Sequence, residues 1–571
     1  MIYLYTVIFL STLQLLSIGY LLEKKIFKSN FEIKKIGIYG LTSLFTLGLI
    51  SLLVNFLFPI NKLLNTFLLI TPILLIFLNL KIFLKKEIIL SVLLISFLSF
   101  TTICLSSVYT PDAGLYHLPY VRLLNDHQII LGITNINFTL GQSSFFQYIS
   151  STYNNFIFGE NGIIIPLVQL YSFIIFSLVY YLISKKINSY SYFLIFLITS
   201  FSLIRINRYS EFGNDAPGHL LYFFLIFLII KILQKNKFSE YDYLYTSLIS
   251  IFAFLTKPTL IFIFLLNIFL LFRFKFYYFY KLKQTYVLML IISIYFIKNI
   301  MISGCALYPI KITCFKNLPW YSTNIEYHGN SERVHDQGKA WTKGYPDHPK
   351  PQKSFKDYNK GFYWISIWYK NHGFVILKKF TPVFLFLALI IILNIFSHHR
   401  NLNKKSCINN IKQKDIFYLL GITGISTVYW FFNFPVLRYG LGYVGGFAII
   451  LFSIFLKNKI FIHLKTLKKL LLILCFIVVF KNFNRIIENY NLEYNQYPWA
   501  KIYGFSDSDN MTDDLIKISK DDKFYFFSPK KNTLCFYNKS PCTHFNSQKI
   551  LSEIESTEFY YFKSFKIRNK L

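Results

Sequence analysis

Charged side chains are scarce in this sequence. They make up 15% of its 571 residues, whereas a soluble chain of average composition carries roughly 25%. The apolar residues fall into runs of about twenty without a polar face, which is the length that a bilayer demands. This composition excludes a soluble multidomain protein and predicts an all-α polytopic membrane protein.

The N-terminal segment lacks the features of a cleaved signal peptide. Residues 2–22 have no basic stretch before the apolar run and no small-residue cleavage site after it. We therefore interpret them as the first of about fourteen transmembrane helices. The other spans are predicted at 36–58, 62–82, 88–108, 161–183, 190–206, 216–233, 243–256, 259–272, 285–303, 381–397, 415–432, 441–456 and 468–482.

Acidic residues are also few, 27 against 60 Lys and Arg, which leaves a net charge of +33. The basic residues sit in short loops between spans, as the positive-inside rule expects, so no nucleic-acid partner is predicted. With fourteen spans the basic loops share one side, which is then cytoplasmic. This organisation predicts a transmembrane domain at 1–482, long outward loops at 109–160 and 304–380, and a small outward soluble domain at 483–571.

Seven cysteines are present, and four of them form two close pairs. Cys305 and Cys314 share one outward loop, and Cys535 and Cys542 lie together in the C-terminal region. In an oxidising compartment this spacing predicts two local disulfides, with four free thiols as the alternative. The C-terminal region also contains an alternating aromatic stretch, Lys523 to Phe527, that is typical of a β-strand.

Polar residues that can take part in catalysis or binding lie at the predicted outward ends of the spans. Asp112 follows the fourth span, with Tyr116 and His117 close behind it. A carboxylate at the membrane boundary can take a proton from a sugar hydroxyl, and His117 can share that site. The alternative for Asp112 is a helix N-cap after Pro111.

A second group, Glu211 and Asp215, lies in a short outward turn. Two carboxylates beside a bilayer need a cation or a partner, so they are predicted to bind a divalent cation or position an acceptor sugar. The alternative is a solvated turn in which Asp215 caps the next helix. Lys257 interrupts an apolar stretch at Pro258 and is suited either to phosphate binding or to snorkelling at the interface.

Two further segments contribute predicted substrate-binding residues. Lys298 and Tyr308 flank the point where a span leaves the membrane for the long loop, and they are predicted to contact substrate. Arg438, followed by Tyr439, occupies a very short outward turn. Its guanidinium can hold a lipid phosphate in a fork, or it can anchor the chain at the interface. Acids that activate a hydroxyl and cations that hold a phosphate are the parts of sugar transfer from a phosphate leaving group.

These motifs together resemble the GT-C superfamily of integral membrane glycosyltransferases. The resemblance covers roughly residues 88–445 and rests on Tyr116-His117-Leu118-Pro119, Thr256-Lys257-Pro258, Lys298-Asn299 with Tyr308-Pro309, and Arg438-Tyr439. It implies a polyprenyl-phosphate sugar donor, a glycan, lipid or protein acceptor, and an active site facing outward from a bacterial inner membrane. It also implies that Asp112 is the catalytic base.

The sequence departs from that family at two places. Lys298 replaces an arginine and Cys305-Ala306 replaces Asn-Pro, which predicts a differently shaped exit loop. Asp112 is followed by Ala113-Gly114, so the Asp-x-Asp of some members is absent and no metal requirement carries over. The alternatives are an O-antigen polymerase or ligase that uses pyrophosphate-linked glycan, and a transporter or flippase, which needs ionisable residues at mid-span.

Overall fold

The structure is a computed structural model with full side chains. It describes residues 2–77, 80–103, 112–187, 189–206, 213–345, 353–400, 411–457, 460–490, 515–519, 525–530, 534–545, 550, 552, 554–559 and 562–567.

Helices dominate the described part of the chain. The first half contains α1 (Ile2–Phe27), α2 (Ile36–Asn55), α3 (Lys62–Phe77), α4 (Leu80–Phe83), α5 (Lys86–Ile103), α6 (Leu118–Asp126), α7 (Phe145–Thr152), α8 (Ile165–Ser184), α9 (Tyr190–Arg205), α10 (Asp215–Lys235), α11 (Glu240–Thr256), α12 (Ile263–Arg273) and α13 (Lys283–Ser303). The second half contains α14 (Ser331–Thr342), α15 (Phe355–Tyr358), α16 (Trp364–Trp368), α17 (Phe374–Arg400), α18 (Gln413–Asn433), α19 (Leu437–Leu456) and α20 (Leu464–Tyr490).

Eight helical segments of the described residues are long and apolar enough to cross a membrane, so the chain is a multi-pass membrane protein. They are Leu4–Phe27, Ile33–Asn55, Gly162–Ser184, Asp215–Lys235, Lys283–Ser303, Trp364–His398, Gln413–Asn433 and Leu437–Leu456. Three shorter apolar helices accompany them, at Lys62–Leu74, Tyr190–Arg205 and Pro258–Arg273. Every predicted span overlaps a helix of the structure. Because eight segments of the described residues are long and apolar enough to cross a membrane, the total of fourteen stays a prediction.

The helix at one predicted span is longer than expected. The span predicted at 381–397 lies within a helical segment that covers Trp364–His398, and the outward loop at 304–380 stays a prediction. The helix continues through Pro382, which a membrane helix tolerates because neighbouring helices and local adjustments satisfy the freed backbone groups. A short π-helical segment at Tyr369–Gly373 connects α16 to α17.

A buried polar cluster lies where α1 ends and α11 begins. Its centre is Glu23, whose side chain is fully buried. One carboxylate oxygen accepts hydrogen bonds from Ser29 and Lys35, each at 2.7 Å. The other accepts from Tyr245 at 3.0 Å and Tyr241 at 3.4 Å. Both oxygens of this buried carboxylate therefore have partners within the protein.

Two antiparallel hairpins form the described C-terminal region. One pairs β1 (Leu515–Ser519) with β2 (Tyr525–Pro529), which overlaps the predicted strand, and the other pairs β3 (Ile554–Phe559) with β4 (Phe562–Ile567). Both predicted disulfides, Cys305–Cys314 and Cys535–Cys542, are present.

This region packs directly on the first long loop. The Leu131 amide donates to the Lys563 carbonyl, and the Phe565 amide donates to the Leu131 carbonyl, each at 2.9 Å. The Phe536 amide donates to the Gly114 carbonyl at 3.0 Å. A Cβ on Gly114 would lie 2.8 Å from the Phe536 ring, so only glycine permits this approach. The C-terminal region thus contacts the segment that follows Asp112.

Candidate functional site

The break between α11 and α12 places Lys257. Helix α11 ends at Thr256 because Pro258 disfavours helical backbone at the residue before it. The Lys257 side chain does not extend to solvent as a snorkelling lysine does, since the residue is only 5% exposed. Its ammonium forms an ion pair with Asp215, the first residue of α10, and donates to the Arg438 carbonyl at 2.8 Å. Three of the predicted segments therefore meet at this lysine.

Two tryptophans hold the turn between α18 and α19 that presents Arg438. The Trp430 indole N–H donates to the Val436 carbonyl at 2.9 Å. The Trp368 indole N–H donates to the Pro435 carbonyl at 2.6 Å. These bonds satisfy two carbonyls of a very short turn and set the direction in which α19 begins.

Asp112 pairs with Arg438. Asp112 occupies the N-cap position of the segment Ala113–His117, but its carboxylate makes no capping hydrogen bond and binds the Arg438 guanidinium instead. The guanidinium carbon lies 5.3 Å from the ring centre of Trp341 and 5.1 Å from that of Tyr439. The side chains of Asp112 and Arg438 keep 22% and 29% of their surface exposed. The pair is thus held between aromatic rings yet still reachable.

His219 supports the same turn from α10. Its Nε2 lies 2.8 Å from the Arg438 carbonyl, and its Nδ1 accepts the Gly442 amide at 3.0 Å. Because Nδ1 must be an acceptor, the proton is on Nε2 and the imidazole is neutral. Lys257 and His219 therefore share one carbonyl at the start of α19. In the sequence this residue is a lone histidine at the start of an apolar run, and no prediction above includes it.

A cavity of about 270 Å³ lies beside the two ion pairs. Asp112 and Arg438 are next to this wall, through Tyr439 and Trp341, and are not part of it. The wall contains six of the predicted site residues, namely Tyr116, His117, Asp215, Lys257, Tyr308 and Tyr439.

Tyr116 and His117 lie within a π-helical segment, Ala113–His117. Burial raises the pKa of the Tyr116 hydroxyl well above its usual range, and the Asp112 carboxylate acts in the same direction. Burial lowers the pKa of His117 to about 4, against the opposing effect of the carboxylates of Asp112 and Asp215. At neutral pH both side chains are therefore uncharged and serve as hydrogen-bonding groups.

Lys298 and Tyr308 occupy different positions from each other. Lys298 is fully buried behind the wall, where its ammonium donates to the Ser143 hydroxyl at 2.6 Å and lies 4.2 Å from the Tyr295 ring centre. Tyr308 is part of the wall, and its hydroxyl donates to the Gly329 carbonyl at 2.9 Å. Lys298 thus contacts two wall residues, Ser143 and Tyr295, without being part of the wall itself.

The second acid of the predicted metal site, Glu211, lies outside the described residues. Its partner Asp215 already binds the Lys257 ammonium. Over the described ranges, no group of three or more His, Cys, Asp or Glu side chains could hold a metal ion. A divalent cation at Glu211 and Asp215 therefore stays a prediction.

Several wall residues were missed by sequence reasoning. Trp341 and His335 come from α14, in the long outward loop, and the tryptophan in that polar helix was an available signal. Thr259 directly follows Lys257-Pro258, so its place at the cavity follows from the position of that predicted segment. Ser143 carries no pattern that distinguishes it from ordinary loop residues, and only the tertiary path of the chain brings it to the cavity.

Comparison with known proteins identifies a family. No curated protein and no solved structure matches this chain. Residues 1–445 match the family described as a domain of unknown function, DUF8201. The match includes all predicted site residues, from Asp112 to Tyr439, and ends before the C-terminal region. Since it spans more than half of the 571 residues, the chain belongs to the DUF8201 family.

Proposed function

We propose that this protein is a GT-C-type membrane glycosyltransferase, which moves a sugar from a polyprenyl-phosphate donor to a glycan, lipid or protein acceptor. The observation that carries the proposal is the pair of neighbouring ion pairs, Asp112 with Arg438 and Asp215 with Lys257, beside one cavity. The reaction needs a carboxylate that takes a proton and cations that hold a phosphate. Both kinds of group belong here to one contact network.

The bond changes follow from these roles. The Asp112 carboxylate takes the proton of an acceptor hydroxyl, whose oxygen then forms a bond to the anomeric carbon of the donor sugar. The bond between that carbon and the phosphate oxygen breaks, and the electron pair leaves with the polyprenyl phosphate. Arg438 and Lys257 offset the negative charge that develops on the leaving group. Asp215 keeps Lys257 in position.

The Asp112–Arg438 pair also links donor binding to the base. A donor phosphate offers the guanidinium fork a competing anionic partner of suitable geometry. When Arg438 turns to that phosphate, the Asp112 carboxylate loses its partner in the protein and can accept a hydrogen bond from the acceptor hydroxyl. The base is then released only while a donor is bound, which couples donor binding to activation of the acceptor.

The location of the charges supports chemistry at a membrane surface. Asp215 begins α10, Lys257 directly follows α11, and Arg438 is the second residue of α19. A transporter or flippase is expected to place such residues near the middle of its spans. The Cys305–Cys314 disulfide adjoins wall residue Tyr308, and disulfides persist in oxidising compartments. This favours a cavity that faces outward from a bacterial inner membrane.

The test is sugar release from radiolabelled polyprenyl-phosphate sugars by the purified protein. We expect Asp112→Asn to lower the rate by about 100-fold or more, because the amide cannot accept the proton. Asp415→Asn is the matched control. Asp415 pairs with Arg273, is only 3% exposed, and lies near the start of α18, whereas the cavity residue Tyr429 lies near its end. This control should keep the wild-type rate per folded molecule.

Three other outcomes would change the proposal in different ways. Equal rates for wild type and Asp112→Asn would keep the enzyme class and remove Asp112 as the base. Consumption of pyrophosphate-linked glycan, with every monophosphate donor untouched, would replace the proposal with a polymerase or ligase. Movement of intact lipid-linked sugar across the bilayer, without bond cleavage, would indicate a flippase.

A further inference from the structure

The cavity wall contains buried polar atoms that have no hydrogen-bond partner among the described residues. They are the hydroxyls of Thr256 and Thr259, the side-chain oxygen of Asn299 and Nδ1 of His117. Thr256, Asn299 and His117 are each more than nine-tenths buried, at 1%, 5% and 7% exposed. Buried polar groups in folded proteins are usually paired. Unpartnered atoms also occur elsewhere in the described residues, but these four belong to side chains around one cavity, where a bound ligand could supply the partner.

In helix α11, the local hydrogen bond from a hydroxyl to the backbone is present at other residues but absent at Thr256. Thr246 donates its hydroxyl to the Asp242 carbonyl at 2.8 Å, and Ser250 donates to the Thr246 carbonyl at 2.8 Å. This bond to the carbonyl four residues earlier is how hydroxyls on a helix are usually satisfied. Thr256, at the end of the same helix, makes no such bond. Its hydroxyl is left for a partner outside the described chain.

Asn299 defines what that partner can be. Its amide nitrogen donates to the Ala306 carbonyl at 2.8 Å, and its amide oxygen has no partner among the described residues, although the residue lines the cavity. That oxygen can only accept a hydrogen bond. A phosphate or carboxylate oxygen would be repelled there, whereas a hydroxyl can donate to Asn299 and also accept from Thr256. The wall therefore favours a neutral ligand rich in hydroxyl groups.

The volume of the cavity and the aromatic residues of its wall indicate the size and the type of the ligand. A volume of about 270 Å³ is just below the usual range for ligand pockets, about 300–1,000 Å³. This suits one sugar unit better than an oligosaccharide. The rings of Tyr308, Trp341 and Tyr439 contribute to the same wall, and they offer apolar faces to the C–H side of a sugar.

We propose that Thr256, Asn299 and His117 form a site that binds the hydroxyl groups of a single sugar unit inside this cavity. This proposal rests on the proposed function, which makes that sugar a participant in transfer. It adds the position at which the hydroxyl groups of the sugar are bound. The ion pairs then hold the phosphate, and this wall holds the sugar.

The test measures binding without any transfer. The full-length protein in nanodiscs is titrated with methyl glycosides of glucose, galactose, mannose and N-acetylglucosamine, and binding is followed by saturation-transfer NMR. Thr256→Val keeps the side-chain shape and removes only the hydroxyl. We expect wild type to bind at least one glycoside and Thr256→Val to bind it about 3- to 10-fold more weakly. Thr246→Val, whose hydroxyl has a partner in the protein, is the matched control and should bind as wild type does.

Three results would overturn the sugar site. These are no glycoside binding by wild type, equal binding by wild type and Thr256→Val, or displacement of the glycoside by inorganic phosphate. Failure of the proposed function is distinguishable from these, because it would show as glycoside binding that depends on Thr256 in a protein that consumes no lipid-linked donor.

Discussion

The two ends of α11 carry polar clusters of different kinds. At its start, Tyr241 and Tyr245 donate to Glu23, whose two oxygens accept four hydrogen bonds in all. At its end, about 25 Å away along the helix, Thr256 lines a cavity with a hydroxyl that has no partner among the described residues. Both clusters are buried. Hydrogen-bond satisfaction, more than burial or charge, is thus the difference between these two clusters.

The largest loss of stability is expected at the start of α11, where both oxygens of Glu23 have hydrogen-bond partners. Replacing Glu23→Leu leaves the Lys35 ammonium and two tyrosine hydroxyls without their buried acceptor, and we expect a loss of about 3 kcal/mol in the free energy of unfolding. The measurement is unfolding of the purified protein in detergent. Glu32→Gln is the control, since Glu32 pairs with the same lysine but is 36% exposed, and it should cost less than about 1 kcal/mol. Equal costs would remove the distinction between the two ends.

A smaller effect should appear at the cavity end when the pH is lowered. Because burial lowers the pKa of His117 to about 4, the unfolded chain takes up this proton first as the pH falls below about 6.5. Stability is then full near neutral pH and declines as the pH falls toward 4. From pH 7 to pH 5 we expect His117 to account for a loss of about 2 kcal/mol.

The measurement is the difference in the free energy of unfolding between pH 7 and pH 5, for wild type and His117→Gln. The variant should lose less stability, because glutamine does not titrate. The same pH dependence in both proteins would mean that His117 is already charged, or is solvated, in the folded state.

The smallest effect compares two hydroxyls on α11. Ser250 donates to the Thr246 carbonyl and accepts the Asn267 amide at 2.6 Å. Ser250→Ala should therefore cost about 1 kcal/mol of stability. Thr256→Val should change stability by less than about 0.5 kcal/mol, because it removes no hydrogen bond within the described protein. A larger cost for Thr256→Val, measured by thermal unfolding, would indicate a structural role for its hydroxyl.

Local sequence signals predicted the parts of the site that depend on local physics. Pro258 marks the end of α11 because the residue before a proline avoids helical backbone. The positions of Asp215 and Arg438 near helix starts followed from the lengths of the apolar runs. Each disulfide joins cysteines that are close in sequence, which is why their pairing could be inferred from spacing.

The pairing of distant residues could not be predicted. Asp112 and Arg438 are 326 residues apart, and no pattern in either segment specifies the other as its partner. Trp341 reaches the site because α14 folds back over the cavity, which composition does not encode. Lys298 was expected to contact substrate, yet its position behind Ser143 depends on how α13 is rotated against the first long loop.

The contact between the C-terminal region and the first long loop has a consequence for synthesis. The Tyr537 hydroxyl donates to Asn125 at 2.9 Å, across 412 residues of chain. The Phe536 amide bonds to Gly114, two residues after Asp112. During translation the loop that contains Asp112 emerges from the ribosome long before these partners exist. A nascent chain therefore cannot complete the contacts beside Asp112 until residues 536–537 have been made, so this part of the fold forms only after more than 400 further residues have been synthesised.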